Sequence, residues 1–253
     1  MDSWKRRERE LMDAPGEDLE ALYENRYGLR HLYDRQAARL LTALQAVGID
    51  QDRLRQMDLL EAAAGIGGVS VWLQPMAQRF FLSDISPYRT RVAHRRAESP
   101  AWVGDCEAMA VADEAFDLVL LLESLHHLGA PEAFVREALR VLRPGGWLAV
   151  FEGDPTGWNR RLFSLMKRTL GIQTEGTQHR YLLPPDIRGV LEPRFHIRLQ
   201  KPIVGFFSPL SRIGWGGKRA WALMDVAEDL LQWVCPHTLR YWNIFLAQKP
   251  NLA

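Results

Sequence analysis

The chain has 253 residues, 47% hydrophobic and 25% charged, with a formal net charge of +1. That length supports one large domain with its own core, and the composition is that of a globular protein rather than a disordered or fibrous one. No apolar run is long enough to span a bilayer. The opening Met1-Asp2-Ser3-Trp4-Lys5-Arg6-Arg7 continues into Glu and Arg, so no secretory signal is expected. Two cysteines, Cys106 and Cys235, are too few for a disulfide framework or a thiolate metal site, and a cytoplasmic setting is expected. Charge is uneven: residues 1–154 carry 18 Lys+Arg against 25 Asp+Glu, a net −7, and residues 155–253 carry 14 against 6, a net +8. Either the C-terminal part faces something anionic or the two halves complement each other.

Residues 3–47 read as helical, with Leu40, Leu41, Leu44 and Val47 at helical spacing, a break at Pro15-Gly16 and a stop at Gly48. Residues 1–50 are therefore expected to form an N-terminal helical cap, in which Tyr23, Tyr27 and Tyr33 either cap a pocket or pack. From Met57 onward, short apolar runs alternate with helical patterns. Met57–Leu60 reads as a buried strand and Val69–Met76 as the helix after it. Arg79–Ser83 is the second strand, and Ser86-Pro87 opens a helix to about Ala97, with Ser as cap and Pro at the first helical position. Ala101–Val103 is a very short third strand. Phe116–Leu122 is the fourth, apolar on both faces as a central parallel strand should be. Pro131 opens a helix through Leu142, Arg143-Pro144-Gly145-Gly146 stops it, and Trp147–Phe151 is the fifth strand. This βαβα rhythm predicts a doubly wound α/β sheet, whose ligand crevice lies at the carboxyl ends of the strands. A helix to Leu191, a strand over Phe195–Leu199 and a last strand over Tyr241–Ala247 follow.

Polar residues fall where that topology places a ligand. Between the first strand and its helix the chain passes through Glu61-Ala62-Ala63-Ala64-Gly65-Ile66-Gly67-Gly68, small residues that let a ligand approach the backbone. Glu61, Asp84, Asp105, Glu123 and Glu152 each stand at or just past a strand's carboxyl end. Asp84 lies roughly 20 residues beyond the glycine turn, the place for an acid that accepts hydrogen bonds from ribose hydroxyls. Asp105 could accept from the exocyclic amine of a base, with Ile85 against the base face. Each acid taken alone could equally be a cap or turn residue.

These motifs together resemble the class I S-adenosylmethionine-dependent methyltransferases. Leu60-Glu61-Ala62-Ala63-Ala64-Gly65-Ile66-Gly67 is similar to their first motif, and Asp84-Ile85-Ser86 to the acidic motif of the second strand. Gly104-Asp105-Cys106-Glu107, with Phe116-Asp117-Leu118-Val119 after it, resembles the adenine-side motif and the fourth strand. Leu125-His126-His127-Leu128 and Val141-Leu142-Arg143-Pro144-Gly145-Gly146 resemble the elements of the quinone/sterol-type subgroup. The resemblance covers about residues 57–152. It implies a Rossmann-like, seven-stranded, mostly parallel sheet with an antiparallel last strand. It also implies S-adenosyl-L-methionine as cofactor; the sequence shows no metal-ligand constellation, so no metal is expected. Glu61 would organise the methionine amine, and Gly65 and Gly67 would let the loop pass close. Asp84 would hold the ribose, and Asp105 and the Cys106 N–H would hold the adenine. Glu123 would lie beside the sulfonium. Ala63 stands where the family has a glycine, so its backbone is expected to avoid positive φ.

Methyl transfer to a hydroxyl needs a base as well as alignment of donor and acceptor, and histidine is the usual one. His127 and His179 lead, with His126 beside the first. His179 lies in a segment that in related enzymes often folds over the substrate. The segments at about 155–183 and 203–237, including an amphipathic stretch Trp158–Leu170 and a helix from about Lys218 to Val234, are expected to form a C-terminal lid-like insert within a domain spanning 51–253. Their basic and aromatic residues suit either contact with a membrane surface or a lid that only covers the sheet. The acceptor is expected to be a small molecule or lipid-like compound rather than nucleic acid. A nicotinamide-dependent oxidoreductase, C-methylation of a quinone-like acceptor and a non-catalytic cofactor-binding module are the competing readings.

Overall fold

Strands that bury both faces must be covered by helices on both sides, and that requirement organises the chain. The computed structural model describes residues 5–6, 9–10, 13, 27–157, 182–205, 218–234 and 240–251. In chain order the elements are α1 (Tyr27–Ala46), α2 (Gln51–Leu54), β1 (Asp58–Ala62), α3 (Ser70–Leu73), β2 (Arg79–Asp84), α4 (Pro87–Ala97), β3 (Ala101–Val103), β4 (Phe116–Leu122), α5 (Pro131–Val141), β5 (Leu142–Gly153), α6 (Pro184–Leu191), β6 (His196–Val204), α7 (Lys218–Val234) and β7 (Arg240–Gln248). Seven strands form one sheet in the order β3-β2-β1-β4-β5-β7-β6. β1, β2, β3, β4 and β5 pair in parallel, and β7 runs antiparallel to both β5 and β6. The order reverses between β1 and β4, and a doubly wound sheet opens its ligand crevice at such a reversal.

Alternation along the strands divides the core in two. Leu59, Leu118, Leu120, Ala149, Ile244 and Leu246 face one side, under α1, α3 and α4. Leu60, Val119, Leu121, Leu148, Val150 and Phe245 face the other, under α5 and α6. Helix α5 buries Phe134, Val135, Ala138 and Val141, one stripe at helical spacing. Helix α4 starts where expected: the Ser86 side chain accepts the Arg89 N–H, Pro87 takes the first turn, and His94, Arg95 and Arg96 sit at the negative end of the dipole. No described helix is long and apolar enough to cross a membrane.

Three boundaries differ from the sequence reading. The helix expected over Val69–Met76 is broken into α3 and a 3-10 turn at Gln74–Met76, because Pro75 lacks the N–H that a continuous helix needs. β5 begins at Leu142, five residues before Trp147. Gly146 permits this early pairing, since a Cβ there would lie 2.8 Å from the Arg143 carbonyl and 3.2 Å from that of Asp117. β6 runs on to Val204 through Pro202, which an edge strand accommodates.

The amino ends of the central strands are tied by charge. Asp58 accepts from Arg79 Nε at 2.7 Å and from Arg143 Nη2 at 2.9 Å. Asp117 accepts from Arg143 Nη1 at 2.5 Å and from the Asp58 N–H at 2.8 Å. The Arg79 hydrogen bond, outweighing burial, holds the Asp58 carboxyl below its usual range. This cluster lies at the end of the sheet remote from the crevice.

Helix α1 closes over the glycine loop: a Cβ on Gly68 would lie 2.4 Å from the Tyr33 ring, and Trp72 Nε1 donates to Asp34 at 3.1 Å. Gly68→Ala must push the ring aside and is expected to lower stability by about 1–3 kcal/mol. Urea unfolding at unchanged slope checks this, and an unshifted midpoint would show that Tyr33 yields freely.

Candidate active site

The loop after β1 is held in an uncommon backbone conformation. Ala63, Gly65 and Gly67 have φ of 52°, 57° and 69°. Ala63 therefore does adopt the left-handed region that its side chain was expected to forbid. Such a conformation costs an L-residue roughly 1–2 kcal/mol, so neighbouring bonds must hold it. Two do: the Ser124 hydroxyl is shared between the Leu122 carbonyl at 2.9 Å and the Ala63 carbonyl at 3.2 Å, and the Ala64 N–H donates to Ser83 O at 2.9 Å. The first of these also brings the loop after β4 against the loop after β1.

Asp84, at the end of β2, organises this loop from the other side. Its carboxylate accepts the Gly65 N–H at 2.8 Å and the Ser86 N–H at 2.9 Å. Burial raises its pKa, against the pull of those two backbone bonds. Glu61, buried in β1, is pushed up to about 7 by desolvation. The Ser70 hydroxyl donating at 2.5 Å works against that shift, and the charge of Asp84 adds to it. The Gly104 N–H donates to the Asp84 carbonyl at 2.9 Å, which brings the end of β3 alongside. Asp84 also acts electrostatically on Cys106, so Glu61, Asp84 and the Asp105-Cys106 turn share one edge of the sheet. Ile85 is half-buried beside them. The Cys106 thiol is buried and its pKa is raised, first by that burial, so it is no nucleophile.

Asp105 carries a partner that the sequence did not suggest. Lys5 Nζ donates to Asp105 at 2.6 Å and to the buried Glu107 at 2.5 Å. Asp13 accepts the Ser86 hydroxyl at 2.5 Å. The N-terminal segment thus reaches the ends of β2 and β3. A lysine inside the run Lys5-Arg6-Arg7 gives no sequence signal for this, since long-range pairing is decided by the fold.

The loop after β4 carries the second half of the site. Glu123 has φ of 52° and donates its N–H to Phe151 O at 2.7 Å. His126 Nδ1 lies 2.6 Å from Oε1 of Glu152, a side chain only 3% exposed, whose other oxygen accepts the Leu125 N–H at 2.9 Å. His127 packs its ring 4.2 Å from that of His126. His179, the other candidate base, lies outside the described residues, as do the segment Trp158–Leu170 and residues 206–217. The pairing of His126 with Glu152 was recoverable in principle, because β4 and β5 are parallel neighbours and residues just past their ends must meet.

The site therefore offers buried carboxylates at a glycine-rich turn, and beyond them an imidazole oriented by a carboxylate. Such a surface fits a ligand with an amine, ribose hydroxyls and an adenine. Residues 60–150 match the family described as "Methyltransferase domain". Over residues 60–150, then, the sequence is that of a methyltransferase domain. A ubiquinone/menaquinone biosynthesis C-methyltransferase of Acidiphilium cryptum is 29% identical, over 49% of this chain and 57% of its own length. A phthiotriol/phenolphthiotriol dimycocerosates methyltransferase of Mycobacterium leprae is 28% identical, over 68% of this chain and 69% of its own length. The fold is shared with magnesium protoporphyrin IX methyltransferase of Synechocystis, solved with bound SAH. The TM-score is 0.63 at 15% identity, covering 98% of this chain and 100% of that one.

The raised pKa of Glu61 has a definite sign. In the folded, ligand-free methyltransferase domain the charged form is disfavoured, so its stability contribution is full below the unfolded value near 4.5 and is lost as pH rises through about 7. Melting of the ligand-free protein should weaken between about pH 5 and about pH 8, with Glu61→Gln removing up to ~3 kcal/mol of that fall. An equal fall in the variant would place the effect elsewhere.

Proposed function

We propose that the protein transfers the methyl group of S-adenosylmethionine to a hydroxyl oxygen of a small or lipid-like acceptor. The observation that carries this reading is the His126–Glu152 pair at the ends of β4 and β5. When bound, S-adenosylmethionine supplies a sulfonium-activated methyl group. The chain's own work is to hold that donor, align the acceptor and remove a proton. Nδ1–H donating to Glu152 sets the tautomer in which His126 Nε2 accepts a hydroxyl proton, and the carboxylate stabilises the imidazolium that forms. His127, stacked on this ring, helps to fix it, and His179 is the competing base.

The same proposal assigns the cofactor contacts. Glu61, ionised by the approach of a cationic amine, holds the methionine end, where Ala63, Gly65 and Gly67 allow close approach. Asp84 holds the ribose hydroxyls. Ile85 lies against the adenine, and Asp105 and the Cys106 N–H take its polar edge, with Lys5 giving way to it. Glu123 sits beside the sulfonium. A lipid-like acceptor is supported by the two relatives named above, whose names refer to quinone and dimycocerosate biosynthesis. The first of them is named a C-methyltransferase. A ring carbon activated by deprotonation of its neighbouring hydroxyl would use the same histidine, so this is the second reading.

Labelled-methyl transfer into lipid and small-molecule extracts tests the proposal, with NMR of the product distinguishing a methyl on oxygen from one on carbon. A carbon-bound methyl would replace the first reading with the second. His126→Ala should cut kcat on the order of a hundredfold or more while leaving cofactor affinity nearly unchanged. Glu152→Gln should also lower kcat with cofactor affinity nearly unchanged, because Nδ1 loses the carboxylate that orients the ring and stabilises the imidazolium. Full activity in His126→Ala would transfer the role to His179 or dispense with a base. Asp84→Ala should weaken S-adenosylmethionine binding by ~1–3 kcal/mol in isothermal titration. Unchanged affinity would remove Asp84 from the ribose.

A further inference from the structure

Helix α7 is turned the wrong way for a helix that packs by hydrophobic burial. Leu223, Val226, Leu230, Trp233 and Val234 recur at helical spacing, so they share one face. That face is in solvent: Trp233 is 91% exposed, Val234 77% and Leu223 75%. The inward face is polar. Asp225 accepts from His31 Nε2 at 2.9 Å, and Asp229 from Arg35 Nη2 at 2.9 Å and from Arg39. Glu228 is buried within reach of Arg35, and Gln232 bonds the β6 backbone at Val204 and Pro202. Trp221 is the apolar residue on this side, tilted against the His31 ring at 5.1 Å. These bonds set the rotation of the helix, so the apolar stripe cannot roll inward without breaking them.

We propose that the outer face of α7 docks the protein on an anionic lipid surface. Its charge pattern selects this occupant. All three carboxylates of α7 point to α1 and are matched there by His31, Arg35 and Arg39. The exposed charges on α7 are Lys218, Arg219 and Asp229; Asp229 borders the stripe but is paired with Arg35 and Arg39, and Arg219 is in line with the stripe, seven residues before Val226. An apolar stripe free of acids, with basic residues at one end and a tryptophan near the other, is the surface that settles into the headgroup boundary of an anionic leaflet. A second copy is the weaker occupant: five side chains of one helix expose roughly 700 Å², short of the roughly 800 Å² per partner of a stable interface. The same helix α1 that clamps α7 carries Tyr33 over Gly68, so this surface is one helix away from the cofactor loop. The inference does not depend on the acceptor or on methyl transfer.

Co-sedimentation of the full chain with vesicles tests it. The vesicles are about one part phosphatidylglycerol to two parts phosphatidylcholine, with pure phosphatidylcholine as comparison. Binding is expected to the anionic vesicles, to weaken with added salt, and to fall at least about tenfold in Val226→Glu/Leu230→Glu. Circular dichroism and S-adenosylmethionine titration establish that the variant is folded. Trp233→Ala, at the most exposed position, is an independent second variant and should also bind less. Absence of binding to anionic vesicles would overturn the proposal, as would undiminished binding in both variants. Light scattering that shows a dimer, reduced to monomer by the double variant, would also overturn it and make the face an interface between copies.

Discussion

One buried carboxylate holds the crevice in shape. Asp84 leaves the end of β2 and accepts the N–H groups of Gly65 and Ser86, joining the glycine turn after β1 to the start of α4. An unpaired buried charge is costly, and hydrogen bonds from two backbone donors offset part of that cost. Because it is fixed, the turn can keep Ala63, Gly65 and Gly67 in left-handed backbone. The same carboxylate makes ionisation of Glu61 harder, so two acids in one desolvated edge await a positive charge. The strain and the desolvation are both concentrated where a cationic, hydroxyl-rich cofactor fits.

The second half of the site depends on a different constraint, the parallel pairing of β4 with β5. That pairing brings the loop bearing His126 beside Glu152, and burial of the carboxylate fixes the ring. Ser124 then links this loop back to Ala63, so the cofactor side and the proposed acceptor side share a hydrogen bond. A shift in either loop would be felt by the other. The fold itself leaves the acceptor open, since function resides in the site rather than in the sheet.

Away from the crevice, polarity rather than apolar burial decides how α7 sits. Its acids face a basic stripe on α1, and its leucines, valines and tryptophan face outward. An amphipathic pattern shows that a helix has two faces and not which of them is inside. Here the choice rests on His31, Arg35 and Arg39, nearly two hundred residues away in the chain.

The sequence by itself determined the doubly wound sheet and the acids at its strand ends, because apolar runs, glycine turns and caps are local signals with fixed periods. Glu61, Asp84 and Asp105 could be placed on one edge from strand order alone. Only the tertiary structure decided what those groups touch. It set Lys5 on Asp105, Asp13 on Ser86 and Asp229 on Arg35. Each of these is a contact between residues distant in the chain. Its energy comes from burial and hydrogen bonding that exist only once the sheet has assembled, so no local pattern could announce it.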